Sequence, residues 1–174
     1  AGNNAGLTFT VPNTSGILVG SPDTTRPTIT SVIPPANKTY ALFELLDFTV
    51  NFSENVTAKL SGPGFPSMEL SLNIGGKARP AFNVDSIIIS TNALTFRYLI
   101  QRGETDTDGI TVSSPLVLDP GTTLRDAAGN DAVLDFTLPN TTGVLVDTTP
   151  PSIISVTPPA NKTYIAGENL DFTV

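Results

Sequence analysis

The side chains in this sequence best suited to chemistry are carboxylates gathered in short polar turns. Gly103-Glu104-Thr105-Asp106-Thr107-Asp108-Gly109 carries three, and Asp126-Ala127-Ala128-Gly129-Asn130-Asp131 carries two with an amide between them. Glu54 precedes Asn55 at the end of an apolar alternation, and Asp23 and Asp147 each open an Asp-Thr-Thr segment that contains proline. Oxygen donors at such density suit a hard divalent cation, because Ca2+ takes six to eight oxygens and needs turns to bring them together. The candidate ligands are therefore Asp23, Glu54, Glu104, Asp106, Asp108, Asp126, Asn130, Asp131 and Asp147. Each also has a plainer reading. Asp-Thr-Asp-Gly is an ordinary polar turn, Asp-Ala-Ala-Gly-Asn closes a loop through its glycine, Glu54 suits a solvated strand end, and Asp before a proline-bearing segment favours a turn. No segment has the twelve-residue ligand spacing of an EF-hand.

Other chemistries are poorly served. The chain has no Cys and no His, so thiolate ligands, disulfides, imidazole ligands and a histidine general base are all missing. Glu54 and Asp126 could be imagined as the paired carboxylates of a glycosidase, but the chain also lacks Trp, the usual sugar-stacking side chain. The expectation is a non-enzyme. The net charge is -7, from 16 acidic against 9 basic residues, without a Lys/Arg cluster that could neutralise phosphates. Nucleic acid and membrane insertion are therefore not expected. Absence of cysteine in a long repetitive chain fits a secreted bacterial product better than a small, disulfide-stapled ectodomain.

The elements that must position these groups repeat. Of the 28 residues from Asp23 to Val50, 20 recur from Asp147 to Val174, at an offset of 124. Upstream, Ala1-Gly2-Asn3-Asn4-Ala5 and the stretch 7–19 return as Ala128-Gly129-Asn130-Asp131-Ala132 and 134–146, at an offset of 127. A period of this size is the mark of a tandem array of domains. The expected division is 1–22 as the last strand of one repeat, 23–147 as a complete repeat, and 148–174 as the first strands of the next.

Within a repeat the apolar residues alternate. Leu46, Phe48, Val50 and Phe52 alternate with Asp47, Thr49 and Asn51; Met68, Leu70, Leu72 and Ile74 with Glu69, Ser71 and Asn73; Leu94, Phe96, Tyr98 and Ile100 with polar residues. Period two predicts strands with one buried face. Gly75-Gly76 predicts a tight hairpin, since both glycines tolerate positive φ. Leu7, Phe9 and Val11, then Ile17-Leu18-Val19, predict strand in the upstream segment; Ile87-Ile88-Ile89 is an apolar run without an evident partner. Ile110 and Val112 begin a further strand, and Ala132, Leu134, Phe136 and Leu138 are expected to line the last one. Some seven strands with turns between them indicate an all-β fold, a two-sheet antiparallel β-sandwich. In such a sandwich, strand parity places the 52–55 turn, the 126–131 loop and the linker residue Asp23 at one pole. The 104–108 turn and the departing Asp147 fall at the other.

Taken in order, Val146-Asp-Thr-Thr-Pro-Pro, Phe52-Ser-Glu-Asn-Val56, Leu94-Thr-Phe-Arg-Tyr, Gly103-Glu-Thr-Asp-Thr-Asp-Gly-Ile110 and Asp126-Ala-Ala-Gly-Asn130 resemble the bacterial immunoglobulin-like repeats of very large secreted surface adhesins of the RTX type. The resemblance covers essentially the whole repeat. It implies immunoglobulin-like sandwiches in tandem and an extracellular, calcium-responsive extender or adhesion module at the bacterial cell surface. Its partners would be neighbouring identical modules, in cis or in a fibre, and it implies no catalysis. Two departures stand out. Asp85-Ser-Ile-Ile-Ile89 lies where such repeats often carry a Gly/Ser-rich loop, and Arg26 replaces the second linker proline, which is expected to loosen that junction. A competing reading makes the chain a fibre subunit that assembles by exchange of its end strands, 7–19 and 152–174.

Overall fold

The computed structural model describes residues 2, 10–15, 20–60, 67–85 and 90–174. Most of the upstream segment, including 7–9 and 17–19, and the run 87–89 lie outside the described residues. The described part is all-β, with ten strands and no helix. In chain order these are β1 (Ile29–Ile33), β2 (Lys38–Tyr40), β3 (Leu45–Leu60), β4 (Met68–Ile74) and β5 (Lys77–Asn83), then β6 (Thr91–Leu99), β7 (Thr105–Asp106), β8 (Thr111–Leu118), β9 (Thr122–Arg125) and β10 (Val144–Asp147).

A curled antiparallel sheet runs β1-β3-β6-β5-β4-β8, with β9 attached to the far half of β3; a smaller sheet runs β2-β10-β7. The alternating residues behave as their period requires. Leu46, Phe48, Val50, Leu94 and Phe96 from one flank of the sheet and Met68, Leu70, Leu72 and Ile74 from the other are buried in one core, which Val144 and Val146 of β10 join. Each such Leu or Phe contributes about 1.5–3 kcal/mol by leaving water. Gly75 and Gly76 form the two-residue hairpin between β4 and β5, with φ of 56° and 79°. A Cβ on Gly75 would also lie 2.2 Å from the Thr105 carbonyl oxygen, so this turn packs directly on the acidic one.

Three expectations need correction. Residues 52–55 do not form a turn: they are the interior of β3, where the register slips between Asn51 and Val56 as the strand leaves β6 and takes β9 as its partner. Residues 132–138 do not form a ladder, because successive groups bond to different neighbours. The Ala132 amide donates to Leu124, the Val133 amide to Pro27, and the Phe136 amide to the Ser114 hydroxyl, while the Leu134 carbonyl accepts from Leu116. The last strand is β10, and it pairs parallel with β2 and antiparallel with β7, so the fold is not antiparallel throughout.

The segment after β10 repeats local detail of the first hairpin. The Thr157–Thr173 bridge is the counterpart of Ile33–Thr49, displaced by the sequence offset. The Tyr164 hydroxyl donates to Ala160 as Tyr40 does to Ala36, and Lys162 pairs with Glu168 as Lys38 does with Glu44. Burial does not repeat: Leu170 and Phe172 are 56% and 61% exposed, whereas Leu46 and Phe48 are fully covered.

Candidate metal centre

At the pole where the chain enters β1, three carboxylates from distant parts of the sequence meet. One oxygen each of Asp23, Glu54 and Asp126 lies within 4.8 Å of the other two. Each is delivered by a different device. Asp23 sits in the linker, its Oδ1 accepting the Thr25 amide at 2.9 Å. Glu54 is carried by the irregular stretch in the middle of β3. Asp126 begins the loop after β9 and is 7% exposed.

The Asp126 carboxylate organises its loop. Its Oδ1 accepts the amides of Gly129 at 2.7 Å and Asn130 at 2.8 Å, and its Oδ2 accepts the Asn130 side-chain amide at 2.7 Å. The same Asn130 Nδ2 donates to the Asp23 carbonyl at 3.2 Å, which joins loop to linker. Gly129 adopts φ 97°, the left-handed conformation that this tight return needs and that most side chains disfavour.

Electrostatics separate the members. Burial pushes the Asp126 carboxyl up, but the Asn130 side chain and the amides of Asn130, Gly129 and Ala128 outweigh it and hold the group below the ordinary aspartate range. Glu54 goes the other way: partial burial, then the neighbouring Asp23 and Asp126 charges, push its pKa up. Glu54 thus sits among like charges, an arrangement that a bound cation would relieve.

The donor set is of the type that hard divalent cations take. All three donors are hard oxygens within 4.8 Å of one another, three of the six to eight that calcium takes. Asn130 turns its amide nitrogen toward the Asp126 carboxylate and the Asp23 backbone carbonyl, and so holds the loop and linker in register.

The other candidates are placed elsewhere. Asp131 accepts Arg125 Nε at 2.6 Å, so its carboxylate faces a guanidinium. At the opposite pole Glu104 and Asp106 are buried, with their oxygens turned to protein donors, while Asp108 and Asp147 are exposed. The Asp147 Oδ1 accepts the Thr149 amide at 2.8 Å, the same pose as Asp23 with Thr25.

Arg26 reverses its expected effect. Its Nε donates to the Asp131 carbonyl at 2.7 Å and a second guanidinium nitrogen reaches the Ala132 carbonyl at 3.4 Å, so the side chain ties the linker to the 126–131 loop. The tie was not legible in the sequence because backbone carbonyls attract a guanidinium without any acidic partner to betray the contact. Arg26→Ala is expected to lower stability by about 0.5–1 kcal/mol, read as a lower urea midpoint at unchanged slope. An unchanged midpoint would mean that the tie contributes nothing.

The chain matches no protein-family profile, no curated protein and no solved structure.

Proposed function

We propose that this chain comes from a non-catalytic extender and adhesion module of a repetitive bacterial surface protein. In this reading immunoglobulin-like sandwiches stand in tandem outside the cell, and calcium stiffens the junctions between them. The observation that carries it is the membership of the acidic cluster. Asp23 belongs to the linker, whereas Glu54 and Asp126 belong to the body of the sandwich, so a shared cation would lock the linker to the domain. The 124-residue sequence echo, the RTX-type adhesin resemblance and the like pose of Asp23 and Asp147 support the same reading.

The mechanism is electrostatic. Without a cation the three carboxylates repel, and the linker is held by hydrogen bonds through Arg26, Asn130, Pro27 and Thr28; with calcium the repulsion becomes shared coordination. A chain carrying several complete repeats should lengthen and stiffen in small-angle X-ray scattering when calcium replaces EGTA. An unchanged maximum dimension would sink the calcium part of the proposal.

One observation favours a second reading, a fibre subunit assembled by strand exchange. Ile153, Val156, Leu170 and Phe172 are exposed, whereas their counterparts Ile29, Val32, Leu46 and Phe48 are buried. An apolar hairpin of this kind can add to another sheet. Light scattering from this chain at high concentration separates the two: a monodisperse monomer excludes assembly through the hairpin.

A further inference from the structure

The acidic turn at the downstream pole uses its carboxylates internally. Glu104 is 2% exposed; its Oε1 accepts the Tyr98 hydroxyl at 2.6 Å and the Arg79 guanidinium, and its Oε2 accepts the Gln101 amide at 2.9 Å. Asp106 accepts the Gly75 amide on one oxygen at 2.8 Å and the Gly109 amide on the other at 2.9 Å. Both side chains therefore brace the turn from inside the sandwich.

The backbone of that braced turn grips the departing chain. Val146 and Asp147 pair with Asp106 and Thr105. Thr148 then closes the contact: its amide donates to the Glu104 carbonyl at 3.2 Å, its hydroxyl donates to the same carbonyl at 2.9 Å, and the Gly103 amide donates to that hydroxyl oxygen at 3.0 Å. Gly103 adopts φ 80°, a conformation that turns its amide to this task and that a side chain would strain. Beyond Thr148, the Thr149 amide bonds only locally, to Asp147 Oδ1 at 2.8 Å, and among the described residues no hydrogen bond ties 150–174 back to the sandwich.

We propose that the 103–106 turn is a clasp that sets the direction in which the chain leaves the sandwich, with Thr148 the last fixed residue and Glu104 the positioning residue beneath it. The clasp is built from protein groups: its carboxylates accept hydrogen bonds from Arg79, Tyr98, Gln101, Gly75 and Gly109, and its grip on Thr148 is made by backbone groups and one hydroxyl. It does not depend on the calcium reading. If both hold, each junction has one end set permanently by hydrogen bonds and one end set by calcium.

The test uses the full chain in EGTA, which separates it from any failure of calcium binding. Amide exchange and 15N relaxation are compared for the native chain, Thr148→Val and Thr148→Ser. Valine keeps the size and removes the hydroxyl; serine restores it. The clasp predicts that Thr148→Val loses about tenfold or more of the protection at the 103 and 148 amides. It further predicts increased motion over 149–156, rescue by serine, and unchanged exchange at Phe48 and Phe96. Exchange of the native 148 amide at the rate of an unfolded peptide would overturn the proposal. So would equal motion over 149–156 in the native and valine chains, or a clasp that closes only in calcium.

Discussion

Saturating calcium is expected to raise the melting temperature of this chain by about 10 °C, and Glu54→Gln is expected to abolish the rise. A ligand that binds only the folded state stabilises it by about 2.7 kcal/mol at a hundredfold excess over its dissociation constant. For a folded unit near 125 residues, each kcal/mol moves the midpoint by roughly 3–5 °C. Glu54 is the informative member to change, because its ordinary neighbours oppose its charge: burial and the Asp23 and Asp126 carboxylates raise its pKa. In EGTA, Glu54→Gln should therefore melt higher than the native chain, and in calcium it should melt lower. A substitution that only damaged packing would lower both.

A carboxyl whose pKa is raised on folding binds its proton more tightly in the folded state than in the unfolded one. The penalty from Glu54 is thus complete above its folded pKa and fades as pH falls toward the unfolded value of 4.5. In EGTA, acidification through that window should relieve the site, whereas in calcium it should weaken the metal's effect, since protons compete for the same oxygens. Equal calcium stabilisation of the native and Glu54→Gln chains would remove the cluster as the binding site.

Glu104→Ala is expected to cost about 3 kcal/mol, measured by urea unfolding. The substitution strands the Tyr98 hydroxyl and the Gln101 amide and leaves Arg79 without its partner. Breaking a buried pair from one side costs about 3–5 kcal/mol, and the lower end applies because the Arg79 side chain is 29% exposed and can turn to water. By contrast, the half-exposed Arg97–Asp47 pair, though doubly bonded, contributes little, because water and salt screen it. Burial pushes Glu104 up, but the Gln101 amide, the Tyr98 hydroxyl and Arg79 together bring its pKa below the ordinary value. A lowered carboxyl pKa contributes stability that is complete above the unfolded value and is lost as pH falls through the folded one. The alanine chain should lack that share of acid sensitivity. A cost below about 1 kcal/mol would show that the network is dispensable.

Much of the architecture was legible because sheet burial follows a period of two. Phe48, Leu70 and Phe96 announced their strands by alternation, and Gly75-Gly76 announced its hairpin by the backbone angles that only glycine adopts freely. Asp23, Glu54 and Asp126 do lie together, although the turn at 52–55 and the strand at 132–138 from which strand parity was counted are absent. What alternation missed were elements whose partners change residue by residue. The slip in β3 around Glu54 looked like a turn, since polar residues interrupt the apolar pattern in both cases. The 132–138 segment looked like a strand, since its apolar residues alternate although its hydrogen bonds go to separate neighbours.

The amino-acid order alone therefore determined an all-β chain, the echo at 124 residues, the alternating core and a set of acidic turns. Tertiary structure alone decided which acids meet other acids and which meet a basic partner. Asp126 and Glu104 are both buried acids in polar turns; one faces Asp23 and Glu54, the other faces Arg79 and Tyr98. The physical reason is that a carboxylate's role is set by what lies within a few ångströms of it. In a sheet, those neighbours come from strands far apart in the chain.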